Sequence, residues 1–317
     1  MEMTPRERVL ATIAHREPDR VPCNLRLVPK LTELVKDRTG NENYAEYFGH
    51  DIRYVPEVLP SIPPMPDGVP PTEWTPQPTA ADIAKLKEQT VALQNRGFAV
   101  CGGYFMGVYE QSKDWIGDEA TMLGPYADPQ RFSDMLDRIV EWKCSLYGGF
   151  AAAGTDIVWI GDDLGTQRSL VMSPAQYRAW YRPRHQRIVD HLRSIKSDVK
   201  IAFHCCGHVT PLIRDLIEVG IDILEAVQPE CMDLTHLKRE FGKDITFWGG
   251  VGAQSALNRS TPEQATEAVR QTLRIMAPSG GYICAPCHTL TEEVSWTSIV
   301  AFHEAVKTHG DYPHPGS

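Results

Sequence analysis

The chain has 317 residues, 42% hydrophobic and 23% charged, with a formal net charge of −9 at pH 7. That is enough chain for one large α/β barrel or two smaller domains around a sizeable core. The acidic balance (pI near 5.7) argues against nucleic acid or an anionic membrane surface as a partner, and no apolar run approaches the roughly 18 residues of a membrane span.

The chain opens on a helix. Thr4 is its N-cap, Pro5 takes the first helical position, Glu7 completes a capping-box spacing, and Val9, Leu10 and Ile13 form the inner face until Pro18 ends it. Residues 1–8 contain no apolar signal core, so a cytoplasmic location is expected. Short apolar runs then alternate with helical stretches. Strands are predicted at 21–27, 51–58, 98–106, 156–161, 199–204, 221–226, 245–250 and 281–285. Helices are predicted at 31–38, 82–95, 131–153, 174–196, 209–219, 233–241, 262–277 and 295–308, with Ser173 capping the helix at 174 and Pro183 kinking it. Eight strands separated by helices imply parallel crossovers and a (β/α)8 barrel, a TIM barrel with an N-terminal helical extension, in a single domain over 1–317. The proline-rich stretch 56–79 breaks the pattern and reads as an ordered loop or lid over the barrel mouth, or equally as a passive surface excursion. The tail 311–317 reads as loose.

Catalytic groups in such a barrel lie at the C-terminal ends of strands. The fourth predicted strand delivers Gly161-Asp162-Asp163-Leu164-Gly165-Thr166-Gln167. The fifth delivers His204-Cys205-Cys206, the sixth Glu225, the seventh Gly249-Gly250, and the eighth Cys284, Cys287 and His288. His204 and Cys206 form an H-x-C pair that can aim imidazole and thiolate at one Zn2+. Glu225 and one of Cys284, Cys287 or His288 would complete the ligands; unligated thiols beside a core histidine are the alternative. Zinc among thiolates suits activation of a substrate thiol for alkyl transfer. Strand alternation lets one of Asp162 and Asp163 face the site, the other capping a turn. Asp51, Arg53 and Arg26 are candidates for holding an anionic substrate, Gln167 for substrate contact, and Gly249 and Gly250 either admit a ligand to the backbone or make a tight turn. Tyr177, Tyr181 and Arg182 are explained by packing. Eight cysteines are too few for a disulfide scaffold, and Cys23, Cys101, Cys144 and Cys231 are expected as buried free thiols.

These residues resemble a known family. Thr4-Pro5-Arg6-Glu7-Arg8-Val9-Leu10, Glu17-Pro18-Asp19-Arg20-Val21-Pro22, Gly161 to Gln167, Phe203-His204-Cys205-Cys206-Gly207, Val227-Gln228-Pro229, Lys238-Arg239-Glu240-Phe241-Gly242 and Gly280-Gly281-Tyr282-Ile283-Cys284-Ala285-Pro286 look like the uroporphyrinogen decarboxylase superfamily, in its branch of methylcobalamin:coenzyme M and related corrinoid methyltransferases. The likeness covers nearly the whole chain and is weakest over 56–135. It implies a (β/α)8 barrel and zinc held by an H-x-C pair and a later cysteine, with a glutamate between them in the similar cobalamin-independent methionine synthase. Here those are His204, Cys206, Glu225 and Cys287; a strict match of the Pro286 step puts His288 where the family has cysteine. The decarboxylase's Arg-rich R-Q-A-G-R segment is replaced by Asn24-Leu25-Arg26-Leu27-Val28-Pro29, which argues against a porphyrinogen substrate, whereas Asp51 to Pro56 look like the stretch bearing that enzyme's catalytic aspartate.

The leading expectation is therefore a zinc-dependent methyltransferase acting between a small molecule and a corrinoid. The chain lacks a corrinoid-carrying D-x-H-x-x-G motif, so the corrinoid is expected on a partner protein; a homodimer is left open. Asp51 and Asp163 would position substrate. The rival expectations are a metal-free decarboxylase or lyase using Asp51 and an arginine, and a non-enzymatic carrier of zinc or corrinoid.

Overall fold

Seven of the eight predicted strands form one all-parallel sheet in sequence order in the computed structural model, which describes residues 2–55, 70–103 and 106–312. They are β1 (Ile52–Tyr54), β2 (Ala99–Gly103), β3 (Ile157–Gly161), β4 (Lys200–His204), β5 (Ile223–Val227), β6 (Thr246–Val251) and β7 (Tyr282–Pro286). Most are short, largely apolar runs buried on both faces, as expected where helices cover the outside of a parallel sheet; β1 carries Arg53 and β4 opens on a half-buried Lys200. Alternate side chains point inward: Ile52, Ala99, Cys101, Ile157, Trp159, Ala202, Ile223, Trp248, Ile283 and Ala285 form one inner cluster. Strands from both edges contribute to it, so the sheet is curled around a common interior. The larger outer cluster lies between the sheet and its helices.

The first helix, Pro5–Ile13, has the anticipated capping box: the Glu7 amide donates to the Thr4 hydroxyl and the Thr4 amide to the Glu7 carboxylate. Its Val9 and Ile13 join the inner cluster. The Gly281 amide donates to the Thr12 carbonyl and the Arg6 amide to the Gly97 carbonyl, both just ahead of strands. The helix therefore stops the N-terminal end of the interior.

Segment 21–27, predicted as a strand, is not one. Cys23 makes an isolated parallel bridge to Cys284, with the Asn24 amide donating to the Cys284 carbonyl and the Cys284 amide to the Pro22 carbonyl. On its other side the Asp51 amide donates to the Cys23 carbonyl. The segment spans the gap between the two sheet edges, but Pro22 has no N–H and the ladder breaks after a single pair.

The predicted helix at 174–196 is also divided. Pro174–Gln176, capped by Ser173, runs into a π-helical turn at Tyr177–Tyr181, and an α-helix resumes over Arg182–Ile195. Pro183 lies in the first turn of the resumed helix, where its missing N–H costs nothing. Helices Val108–Ile116 and Asp118–Ala127 were not predicted; the second leaves Met122, Leu123 and Tyr126 exposed, so no apolar stripe marks it. Within 56–79, residues 56–69 lie outside the described residues, as do the ends of the strands predicted at 51–58 and 98–106, and 313–317 of the tail. The described remainder is pinned to the outer helix Pro129–Ala152: the Trp142 indole donates to the Pro76 carbonyl (2.8 Å) and Arg138 to the Thr72 carbonyl (2.6 Å). None of the eight cysteines forms a disulfide; Cys144 and Cys231 are half-buried rather than buried. No helix among the described residues is long and apolar enough to cross a membrane.

Candidate metal centre

His204 is the last residue of β4 and faces inward, level with Glu225 of β5 and Gly161 of β3. Cys206 lies two residues on, so strand alternation carries its thiol to the same side. The turn that holds it is tight. Gly207 sits at φ +80° with the backbone of Gly165 and Thr166 against it; a Cβ there would lie 2.5 Å from the Thr166 carbonyl oxygen. The Gly207 amide donates to Gln228 Oε1 (2.8 Å) and the His208 amide to the Thr166 carbonyl (2.7 Å). The loops after β3, β4 and β5 are thus tied together around Cys206.

Asp163 completes the group. Its Oδ1 accepts the Cys206 amide (2.8 Å) and lies 3.7 Å from His204 Nε2, while Cys206 Sγ is 3.4 Å from the same nitrogen. The ligand atoms of Asp163, His204 and Cys206 all fall within 4.8 Å of one another. Imidazole, thiolate and carboxylate are the three donor types zinc accepts, and together they leave a fourth position open. Burial first, then the Asp163 and Glu225 carboxylates, pushes the Cys206 thiol well above its ordinary value. The residues present therefore fit zinc.

Behind His204, Glu225 Oε2 takes the hydrogen bond from Nδ1. The Trp159 indole donates to the same oxygen (3.0 Å), and Arg26 pairs with Oε1 at 3.6 Å while lying over the Trp159 ring. Burial alone would raise the Glu225 carboxyl; His204, with Arg26 and Trp159, outweighs it and holds it down at about 2. Level with Glu225 on β6, the Trp248 indole donates to Asn24 (2.7 Å), whose amide donates to the Tyr54 hydroxyl (2.7 Å).

Asp162 serves the architecture. It is fully buried; its carboxylate accepts the amides of Val108 (2.9 Å) and Glu110 (2.8 Å), capping helix Val108–Ile116, and bonds His185 Nε2 at 2.8 Å. It does not cap its own following turn. No motif joins residues 23 apart on a strand and a helix, so the sequence carried no signal for His185. Trp159 and Trp248 had a usable signal in their inward parity on predicted strands.

The remaining candidates lie outside this three-residue group, although Cys287 is close enough to Cys206 to push its thiol further up. Cys287 is buried; its Sγ accepts the Ala253 amide (3.2 Å) and lies 4.0 Å from Glu230, and burial pushes its thiol up to about 12. Cys284 is buried between Cys23 and the strand ladder. His288 is exposed, its Nδ1 3.1 Å from the Thr289 carbonyl oxygen, in a separate surface cavity with Asn258 and Glu293. Neither Cys287 nor His288 belongs to the metal-capable group among the described residues. Asp51 immediately precedes β1 and so lies at the N-terminal end, away from the site. Arg8, Arg20 (twice) and the Cys23 amide saturate it at 2.5–3.0 Å. Arg53 alternates outward, donating to the His50 carbonyl and covering the Phe98 ring. Gln167 is an exposed rim residue accepting from Cys231. Gly249 and Gly250 take φ values of +123° and +82° with strand and helix atoms packed against them, so backbone conformation accounts for both. Tyr177 and Tyr181 are core residues and Arg182 pairs with Glu218, as packing required.

A search of curated proteins returns no match. Among solved structures, a methyltransferase from Methanosarcina mazei shares the fold at a TM-score of 0.73 and 18% identity, over 97% of this chain and 99% of that one. An intracellular xylanase from Thermoanaerobacterium saccharolyticum aligns at 0.50 and 12%, over 88% of each chain. A B12-independent methionine synthase from a Shewanella species aligns at 0.45 and 14%, over 71% of this chain and 64% of that one. The family profile described as uroporphyrinogen decarboxylase (URO-D) matches residues 117–309, well over half of the chain and including every residue of the metal-capable group, so the chain belongs to that family.

Proposed function

We propose that this chain is a zinc-dependent methyltransferase that moves a methyl group between a small molecule and a corrinoid carried by a partner protein. The observation that carries the reading is the convergence of Asp163, His204 and Cys206 at the C-terminal ends of β3 and β4, the end where barrel enzymes do chemistry. The M. mazei methyltransferase, similar in fold over nearly the whole of both chains, supports the reaction class. Zinc held by these residues would bind a substrate thiol and keep it deprotonated at neutral pH. The chain's own work is to orient and exclude. The hydrogen bond from Nδ1 to Glu225 leaves the Nε2 lone pair of His204 for the ion, and the Asp163 carboxylate fixes the Cys206 turn. The adjoining interior is lined by the buried Trp159 and Trp248, which keep bulk water from the reacting end. Segment 21–27 fills the place of an eighth strand and closes the barrel in this reading, with cytoplasm as its setting.

Against the decarboxylase alternative stands Asp51, the residue it needs in the pocket, which is consumed by four donors at the opposite end. The test is metal content and turnover together. Purified protein should carry about one zinc per chain, and Cys206→Ala should lose it. Methylcobalamin with candidate thiols should then be demethylated by the zinc form, followed by absorbance. Full activity in a metal-free preparation would refute the reading.

A further inference from the structure

Tyr54 closes β1 at the C-terminal end of the sheet, the end that carries Asp163, His204 and Cys206. Ile52 and Tyr54 alternate inward, so the half-buried Tyr54 ring packs against the inner cluster and stacks on Trp248 at 6.5 Å between centroids. Its hydroxyl has a fixed sense. The Trp248 indole N–H can only donate, and it donates to the buried Asn24 side chain at 2.7 Å. The Asn24 amide oxygen therefore faces Trp248, because a turned amide would set NH2 against N–H. Its NH2 group then faces the Tyr54 oxygen, also at 2.7 Å. Tyr54 is the acceptor in that bond, and its own proton points elsewhere. No described residue accepts it. Burial pushes the hydroxyl well above its ordinary value, so the proton stays in place at neutral pH. A half-buried donor without a partner is paired, in a working site, by a ligand or a water.

We infer that Tyr54 is a substrate-binding residue. Its O–H donates to an acceptor oxygen, carboxylate or carbonyl, on the small molecule, and Asn24 and Trp248 are positioning residues that aim it. The inference rests on the zinc reading above and narrows the substrate within it: a thiol that carries such an oxygen on the same short chain, not a plain alkanethiol. A site built around a fixed donor discriminates strongly against an analogue that lacks the acceptor, because the donor is then left unpaired.

The test is calorimetric binding to the full chain supplied with zinc. The probes are mercaptoacetate, mercaptopropionate and mercaptobutyrate, with the alkanethiols and the plain carboxylates of matching length as controls. Tyr54→Phe keeps the ring and removes the donor. It should weaken the best mercaptocarboxylate about 10–100-fold, the worth of one hydrogen bond to a charged acceptor, and leave the alkanethiol unchanged. Asn24→Asp keeps the acceptor for Trp248 but takes the Tyr54 proton for itself. Tested with the uncharged methyl esters, which its own charge does not repel, it should weaken binding about 2–10-fold, as Tyr54→Phe does. Unchanged ester binding in Asn24→Asp overturns the part given to Asn24. A Tyr54→Phe protein that binds every thiol as the wild type does, or loses all of them alike, overturns the assignment of Tyr54 and leaves the zinc reading standing. Plain carboxylates that bind as tightly as their thiol analogues, and still weaken in Tyr54→Phe, uphold Tyr54 and overturn the zinc–thiol reading. A wild type that binds no probe overturns both.

Discussion

Asp162→Asn should unfold more than it should disarm. The Asp162 carboxylate is fully buried and accepts three hydrogen bonds at 2.8–2.9 Å, from Val108, Glu110 and His185. Asparagine keeps one acceptor oxygen. If that oxygen serves Val108 and His185, its NH2 group faces the Glu110 amide, donor against donor. One charge-assisted bond is then lost outright, at about 1.5–3 kcal/mol, and the other two weaken to neutral bonds at about 0.5–1 kcal/mol each. The sum is about 2.5–5 kcal/mol, large for a single substitution. There is no slack to absorb it: a Cβ on Gly107 would already lie 1.7 Å from the Gly161 carbonyl oxygen, so the helix start cannot shift toward β3. The assay is urea unfolding of wild type and variant, read as a fall in midpoint at unchanged slope. Because Asp163 is the next residue, the variant should also bind zinc more weakly. A stability loss below about 1 kcal/mol would refute the reasoning, since an unsatisfied buried amide alone costs at least that much.

Acid should loosen the C-terminal helix Trp296–His309. His50 and His303 meet Nε2 to Nε2 at 2.9 Å in full burial, with Phe48 stacked on His303 at 3.8 Å and His303 Nδ1 donating to the Ile299 carbonyl. Burial holds His303 down at about 3 and His50 well below its ordinary value, so both stay neutral in the fold while the unfolded chain takes up protons below about pH 6.5. That stability is present above pH 6.5 and lost as pH falls; between pH 7 and 5 it amounts to about 2 kcal/mol per imidazole. His303→Phe should shrink the fall by about that amount in urea unfolding at the two pH values, and an unchanged fall would contradict the linkage. Asp51→Asn should destabilise by about 3 kcal/mol, through the loss of its arginine pairs, with zinc affinity unchanged; a loss of metal affinity comparable to that of Cys206→Ala would place Asp51 in the site after all.

Local chemistry written in the sequence determined the order of elements. Capping boxes at Thr4 and Ser173, prolines at first helical positions and short apolar runs each act within a few residues, and they placed seven strands and most helices. The H-x-C pair was legible for the same reason: a two-residue period at a strand end puts His204 and Cys206 on one side whatever surrounds them. Tertiary structure alone decided which carboxylate joins them. Asp51 opens a predicted strand, Glu225 lies within one and Asp163 follows one, and strand position alone does not say which carboxylate reaches the pair. The N-terminal end of β1 holds Asp51 among arginines, register sets Glu225 behind the His204 ring, and the β3 loop brings Asp163 to its front. The same holds for the last predicted ligands and for segment 21–27. A side chain's partner there depends on strand register and loop path, which are fixed only when the sheet curls and every buried donor finds its acceptor.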